Sequence, residues 1–424
     1  MMMGSYYIWT IGCQMNRAES ERLSVRFRSH GYMEAPNAEA ADVVVVNSCV
    51  VRKHAEDKVF NKLHNLKALK KRRPDMRIVL TGCFVGQTPA ELQALFPYVD
   101  DFLRPGEFPD WLPETDCAPV VPVHPAVSAY VPIIQGCNNF CTYCVVPYRR
   151  GREKSRLPED IICEVRRLVQ HGIKEVILVG QNVDSYGHDL QGCTNLAQLL
   201  TELNGIEGLS RLRFLTNHPK DMTQTLIDAV ACLDKVCRQI NLPVQSGNDD
   251  ILRAMNRGYT VADYRDLMLR LRRVMPDIAI TTDVIVGFPG EDDTHFQNTY
   301  ELLTELRFDA VHVAAYSPRP GTLAANRLVD DVPQDTKKAR LAAVESLQAR
   351  IASEINAAYL GQTLEVLVDG TNKSRWQGRT RSDKMVFFSS AEDLQGKTVL
   401  VQIGKTSPWS LQGKLNTPVA EEIH

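Results

Sequence analysis

Twice along this chain, short β-rich apolar runs alternate with charged, helix-compatible segments, and that rhythm restricts it to layered α/β architectures. The first series has runs at Tyr6–Thr10, Val43–Val46 and Arg77–Thr81, each followed by a helical pattern, at 16–30, 52–72 and 88–96. Strands separated by helices pair in parallel. The second series has runs at Tyr130–Ile134, Glu175–Val179, Arg211–Leu215, Gln239–Leu242, Ile278–Ile285 and Ala310–Ala315, with helical patterns at 158–171, 222–233, 261–274 and 293–306. Six units of this kind predict a partial (β/α)6 barrel.

Between the two series, Pro113, Pro119, Pro122 and Pro125 mark a linker. After Pro333 an amphipathic helix carries Leu341, Val344, Leu347, Ile351 and Ile355 on one stripe and is closed by Gly361. From Thr363 the pattern changes to short strands at Leu364–Val368, Gly378–Arg381, Met385–Phe388, Val399–Ile403 and Trp409–Gly413, the mark of a small all-β barrel. The expected division of the 424 residues is an α/β domain at 1–115, the partial barrel at 126–358 and the β-barrel at 360–422.

With 44% apolar and 24% charged residues, the composition is that of a soluble globular protein. No apolar run approaches the roughly 20 residues that span a bilayer, and nothing at the start reads as a signal peptide. The expectation is a cytoplasmic protein with no membrane partner. A net charge of −2 means that any nucleic-acid contact rests on local basic patches. Eleven cysteines in a long chain argue against a disulfide scaffold and for metal or redox chemistry.

The densest signal is Cys137-x-x-x-Cys141-x-x-Cys144, just past the first strand of the second series. Four-iron clusters take thiolate ligands, usually four. Three cysteines in eight residues, with no fourth nearby, leave one iron open to a cofactor or substrate. A three-cysteine zinc site or three plain loop thiols are the alternatives, and the paired CxxC spacing and neighbouring histidines usual for zinc are missing. Cys13, Cys49 and Cys83 are 36 and 34 residues apart, yet each lies just beyond one of the first three strands. Parallel strands bring those ends to one edge, where such folds bind ligands. Three thiols meeting there suit a second cluster with one open iron; inert buried cysteines are the alternative. Cys117, Cys163, Cys193, Cys232 and Cys237 read as structural.

Gly180 and Gln181 end the second barrel strand, and Gln245 and Ser246 follow the fourth, positions suited either to a cofactor or to ordinary turn chemistry. Arg149, Arg150 and Arg152 follow the cysteine motif as a basic run fit for a phosphate backbone, with a solvated loop as the alternative. In the last segment Lys373, Arg375, Arg379 and Arg381 accompany Trp376, Phe387 and Phe388, a mixture suited to RNA. No HExxH occurs, and Gly404-Lys405-Thr406 lacks the upstream glycine of a phosphate-binding loop, which disfavours zinc hydrolases and nucleoside triphosphatases.

CNNFCTYC at 137–144 resembles the three-cysteine motif of the radical S-adenosylmethionine superfamily. GCNNFCTYCVVPYRRGR at 136–152, TIGCQMNRAESE at 10–21, VNSCVVRKHAEDK at 46–58, GQNVDSY at 180–186, LPVQSGND at 242–249, TTDVIVGFPGE at 281–291 and YSPRPGT at 316–322 resemble its methylthiotransferase branch. The tail is similar to the TRAM domain, an RNA-binding β-barrel. The likeness runs the length of the chain and is nearest to the enzymes acting on isopentenylated adenosine beside the tRNA anticodon. Arg149, where threonine is expected, and Ala18 before Glu19 are small departures.

The resemblance implies two 4Fe-4S clusters and S-adenosyl-L-methionine as cofactors. The cluster on Cys137, Cys141 and Cys144 would cleave the cofactor to a 5′-deoxyadenosyl radical that takes hydrogen from carbon 2 of adenine. The cluster on Cys13, Cys49 and Cys83 would carry the sulfur that is methylated and transferred. Implied partners are tRNA, an electron donor of flavodoxin or ferredoxin type, and sulfur or iron–sulfur supply proteins, with the enzyme a monomer. Rival targets are threonylcarbamoyl-adenosine in tRNA or a ribosomal-protein aspartate. A rival of another class is a non-catalytic iron–sulfur protein that binds RNA or senses redox state.

Overall fold

The computed structural model describes residues 4–50, 53–86, 89–113, 126–192 and 194–416. Pro119, Pro122 and Pro125 of the expected linker lie outside these, as do Cys117 and Cys193. The amino-terminal unit runs β1 (Ser5–Thr10), α1 (Gln14–Ser29), β2 (Met33–Glu34), β3 (Val43–Ser48), α2 (Lys53–Arg72), β4 (Arg77–Gly82), α3 (Pro89–Leu95) and β5 (Asp101–Phe102). Its five strands form one parallel sheet in the order β2-β1-β3-β4-β5. All six residues of central β3 are buried, which is why it reads as an unbroken valine run rather than an alternation. The edge strands β2 and β5, two residues each, carry no periodic signal and were not foreseen.

The central unit follows with β6 (Ser128–Pro132), β7 (Ile134–Gln135), α4 (Val146–Arg150), β8 (Lys154–Ser155), α5 (Pro158–Gln170), β9 (Glu175–Val179), α6 (Leu196–Asn204), β10 (Arg211–Phe214), α7 (Gln224–Cys232), β11 (Gln239–Asn241), α8 (Asp249–Ala254), α9 (Val261–Val274), β12 (Ala279–Val286), α10 (Asp293–Leu306), β13 (Ala310–Ala315), α11 (Leu323–Arg327) and α12 (Gln334–Ala357). Strands β6, β9 and β10 pair in parallel, as do β11, β12 and β13. A parallel bridge from Leu212 to Val236 joins the two sets, so six strands follow one another as a partial barrel.

The structure divides the expected first barrel strand: β6 stops at Pro132, and β7 pairs antiparallel with β8. Helices α4, α8 and α11 have no counterpart in the sequence pattern, because five or six residues are too few to show two turns of periodicity, and the nine-residue α6 also falls where the pattern predicts no helix. Helices α9 and α10 start where the sequence caps them. Thr260 with Asp263, and Asp292 with His295, form capping boxes at α9 and α10.

The last unit is a closed barrel of β14 (Thr363–Asn372), β15 (Arg375–Arg379), β16 (Met385–Phe388), β17 (Thr398–Thr406) and β18 (Leu411–Leu415), in the order β14-β15-β16-β18-β17. Two buried arginines of β10 fasten it to the partial barrel. Arg211 donates to the Arg379 carbonyl (2.6 Å) and to Glu365 (2.7 Å). Arg213 donates to the carbonyls of Thr380 (2.7 Å) and Arg381 (3.0 Å) while pairing with buried Glu175 at 2.8 Å. On the other flank, Met15 and Ala18 of α1 pack against Val179, Tyr130 and Ile177, so the amino-terminal unit leans on β6 and β9. Among the described residues no helix is long and apolar enough to cross a membrane.

Removing Arg213 strands the Glu175 carboxylate in a buried position. Arg213→Ala is expected to destabilise the chain by about 3–5 kcal/mol in denaturant unfolding.

Candidate active site

The loop after β7 carries Cys137, Cys141 and Cys144 and is fastened from three directions. The Cys137 N–H donates to the Gly151 carbonyl (3.2 Å), Thr142 donates through N–H and hydroxyl to the end of α8, and Asn256 donates to the carbonyls of Asn139 and Phe140. Gly136 turns with φ +83°, and a Cβ there would lie 2.0 Å from the Arg152 carbonyl oxygen. Phe140 takes φ +49°, an uncommon conformation for a side-chain-bearing residue, held by the same ties. Burial and the neighbouring thiols push Cys144 up to about 12, and burial with Cys141 pushes Cys137 up to about 11. The buried guanidinium of Arg257 donates to the Cys141 sulfur at 3.2 Å.

Cys13, Cys49 and Cys83 meet at the carboxyl edge of the amino-terminal sheet. Cys49 and Cys83 come one residue after β3 and β4, and Cys13 caps α1 three residues after β1. Asn16 and Asn47 lock these ends together. Asn16 accepts from the Cys13 N–H (3.2 Å) and donates to Asn47 (2.9 Å) and to the Ser48 carbonyl (3.1 Å). The Cys83 N–H in turn donates to the same carbonyl (2.8 Å). The Gly12 backbone lies so close that a Cβ would stand 2.8 Å from the Cys49 Cβ. Burial pushes Cys83 up to about 11 against the opposing pull of Arg150, with Cys49 and Cys13 adding to the rise.

Among the described residues no three His, Cys, Asp or Glu side chains converge on one ion position. A four-iron cluster asks for a different arrangement, because each thiolate binds its own iron and the sulfurs stand around the cluster. Both sets fit that demand: three thiols and one guanidinium N–H, in pockets where a bound cluster would take the place of the thiol protons.

Beside Cys141, the carboxyl ends of β9 and β10 build a buried polar nest. Asp184 accepts from Asn217 (2.5 Å) and from the His218 N–H (2.9 Å), and Asn182 donates to Asp221 (2.7 Å). Burial pushes Asp184 up to about 7. Burial, helped by Arg257 and Lys220, presses His218 down to about 2, so its imidazole is neutral. The ring meets Tyr259 edge-on, and Tyr259 accepts from Arg257 (3.0 Å), which links the nest to Cys141. Asn139 Nδ2, Asn182 Oδ1, Asn217 Oδ1 and His218 Nε2 are buried without a hydrogen-bond partner. Orphaned donors and acceptors of this kind suit a polar ligand such as an amino acid or nucleoside.

Three family models match the chain: uncharacterized protein family UPF0004 over residues 5–103, the Radical SAM superfamily over 131–303 and the TRAM domain over 357–415. A tRNA-2-methylthio-N(6)-dimethylallyladenosine synthase of Dehalococcoides mccartyi is 56% identical over 97% of this chain and 99% of its own. Synthases of the same name from Chloroflexus aurantiacus and Clostridium botulinum are 49% and 41% identical, over 96% and 97% of this chain and 91% and 97% of theirs. The chain belongs to this synthase family.

The solved structure of the radical S-adenosylmethionine methyltransferase TsrM from Kitasatospora setae shares the fold, with TM-score 0.57 and 14% identity over 88% of this chain and 80% of that one.

In this member of the synthase family several expected site residues have other duties. Arg150 is corrected from an RNA contact: it is buried against Cys83 and Glu19. Arg379 pairs with Asp383, and Arg381 donates to the carbonyls of Asp234 and Val236, fastening the carboxyl-terminal barrel. Arg149 and Arg152, by contrast, line a cavity of about 380 Å³ with Arg104 and Lys154, and Lys373 is exposed. Arg375 lies over the Phe387 ring. Gln181 accepts from the Gly136 N–H (2.6 Å), steadying the cysteine loop. Gly180 allows close packing, since a Cβ would fall 2.4 Å from Ile134. Gln245 takes φ +70° at the mouth of the barrel, while buried Ser246 braces the turn against Thr299. Cys237 is buried, whereas Cys163 and Cys232 are exposed and stand apart from both sets.

Asn16, Asn47, Asp184, His218 and Arg257 went unnoticed in the sequence. The first three sit inside motifs beside the cysteines or barrel-strand ends and could have been found there; His218 and Arg257 carry no local mark.

His218 sets a pH dependence. Its unfolded imidazole takes up a proton below about 6.5, whereas the folded one refuses it until about 2. Protonation therefore favours unfolding: the contribution is intact above pH 6.5 and is lost by about 1.4 kcal/mol per pH unit below it. Unfolding free energies at pH 6.5 and 5.5 should show a shallower fall for His218→Gln than for the parent.

Proposed function

We propose that this chain inserts sulfur and a methyl group at carbon 2 of isopentenylated adenosine beside the tRNA anticodon, using S-adenosyl-L-methionine and two 4Fe-4S clusters. The observation that carries the reading is the pairing of two sets of three thiols, one at the carboxyl edge of the parallel amino-terminal sheet and one in the loop after β7, each with one buried arginine on a sulfur. Full-length likeness to the synthases supports the substrate. When bound, the clusters and the cofactor supply the electron-transfer, radical and sulfur chemistry.

The chain positions and shields. Cys137, Cys141 and Cys144 hold one cluster and Cys13, Cys49 and Cys83 the other. The unsatisfied groups of Asn182, Asn217 and His218, with Gln245 at the rim, orient the cofactor's polar ends. Neutral His218 adds no cation beside a cofactor that is itself cationic. Arg149, Arg152 and Lys154 around their cavity, and Lys373 and Arg375 on the β-barrel, receive tRNA phosphates. An electron donor of flavodoxin or ferredoxin type and a sulfur or iron–sulfur supplier complete the cycle for a monomeric enzyme.

Two measurements test this. Anaerobic incubation with isopentenylated tRNA, reductant and cofactor should give a methylthio gain by nucleoside mass spectrometry. Methylthiolation of threonylcarbamoyl-adenosine or a ribosomal-protein aspartate instead would overturn the substrate. Cys141→Ala is expected to abolish 5′-deoxyadenosine formation. Cys49→Ala should keep that product and lose the methylthio gain, and a Cys49 variant that still methylthiolates refutes the role given to the first domain.

A further inference from the structure

One short segment touches both cysteine sets. Helix α4 begins two residues after Cys144 and ends at Arg150. The Gly151 carbonyl accepts from the Cys137 N–H at 3.2 Å. Arg150 itself turns the other way. Its Nε–H donates to the Cys83 sulfur at 3.1 Å, and its two terminal nitrogens clasp the Glu19 carboxylate of α1 at 2.5 and 3.3 Å. At 6% exposure it is closed to a phosphate backbone.

A buried guanidinium beside a sulfur has two physical effects. The N–H steadies the ligand and draws electron density from it, and the fixed positive charge favours the more reduced, more negative state of anything the sulfur binds. Glu19 opposes the second effect from the far side of the guanidinium. A second arginine of the central unit, Arg319, pairs with Glu56 of α2 at 3.4 Å, and its charge is felt at Cys49. Cys141 has a similar arrangement with Arg257, but that arginine belongs to the same unit as the sulfur it serves.

We propose that Arg150 is a positioning residue for the amino-terminal cluster: supplied by the central unit's own cysteine segment, it holds the Cys83 ligand and sets the cluster's reduction potential and its grip on iron. This rests on the two-cluster reading above. The geometry makes the amino-terminal cluster complete only when α4 is seated, so the two cysteine sets are joined by a single helix rather than merely neighbouring.

The test uses the full-length chain with Cys137, Cys141 and Cys144 all replaced by alanine, so that a reconstituted sample reports only the amino-terminal cluster. In that background Arg150→Met is expected to lower the midpoint potential, to change the electron paramagnetic resonance spectrum of the reduced cluster, and to speed iron loss to a chelator by about 10–100-fold. Arg150→Lys, which keeps the charge without the Nε–H, should recover much of the potential but little of the chelator resistance. Glu19→Gln should move the potential the opposite way, upward, a pairing of signs that a purely structural role does not produce. Unchanged potential and spectrum in both Arg150→Met and Glu19→Gln overturn the proposal while leaving the two-cluster reading intact. A parent triple variant that holds no iron overturns the two-cluster reading first. Should Arg150→Met fail to fold, Glu19→Gln still decides, because a potential that does not rise there refutes the electrostatic role.

Discussion

The carboxyl edge of a parallel sheet is the constraint on which everything here depends. Parallel strands all finish on one side, so loops distant in sequence are delivered to one place. Cys13, Cys49 and Cys83 meet for this reason, and the loop bearing Cys137, Cys141 and Cys144 opens beside the ends of β9, β10 and β11 for the same reason. Packing of α1 against β6 and β9 then sets the two edges beside each other.

Charge is the second theme. Burial pushes the Cys83, Cys137 and Cys144 thiols up, and each set is answered by one buried arginine whose own burial is offset by partners: Glu19 for Arg150, and Tyr259 with the Pro243 carbonyl for Arg257. A buried cation without such partners would be costly. Arg211 and Arg213 follow the same logic at the opposite end of β10, where carbonyls of the carboxyl-terminal barrel and two glutamates absorb their charge. Arginine is therefore the residue that both fastens the units and faces the sulfurs, a use suited to its planar array of donors.

Legibility in the sequence followed the length of the pattern. Long helices such as α9 and α12, and buried strands such as β3 and β9, were readable because several turns or a continuous apolar run repeat one message. Helices of five or six residues, such as α4 and α8, and the two-residue strands had no room to repeat it. Among side chains, the cysteines were legible because few chemistries need three thiols at such spacing. Arg150 was legible as a basic residue and misread in its direction, since a run of arginines looks the same whether it faces water or a buried carboxylate.

By itself the sequence determined the succession of layers, the two sets of three thiols and the family likeness, because these are written in local period and spacing. Only the tertiary structure decided which polar groups complete each site. Asn16 reaching Asn47, Arg257 reaching Cys141 and Arg150 crossing to Cys83 join residues 31, 116 and 67 positions apart. Contacts of that separation depend on how whole units pack, and no local pattern encodes the packing.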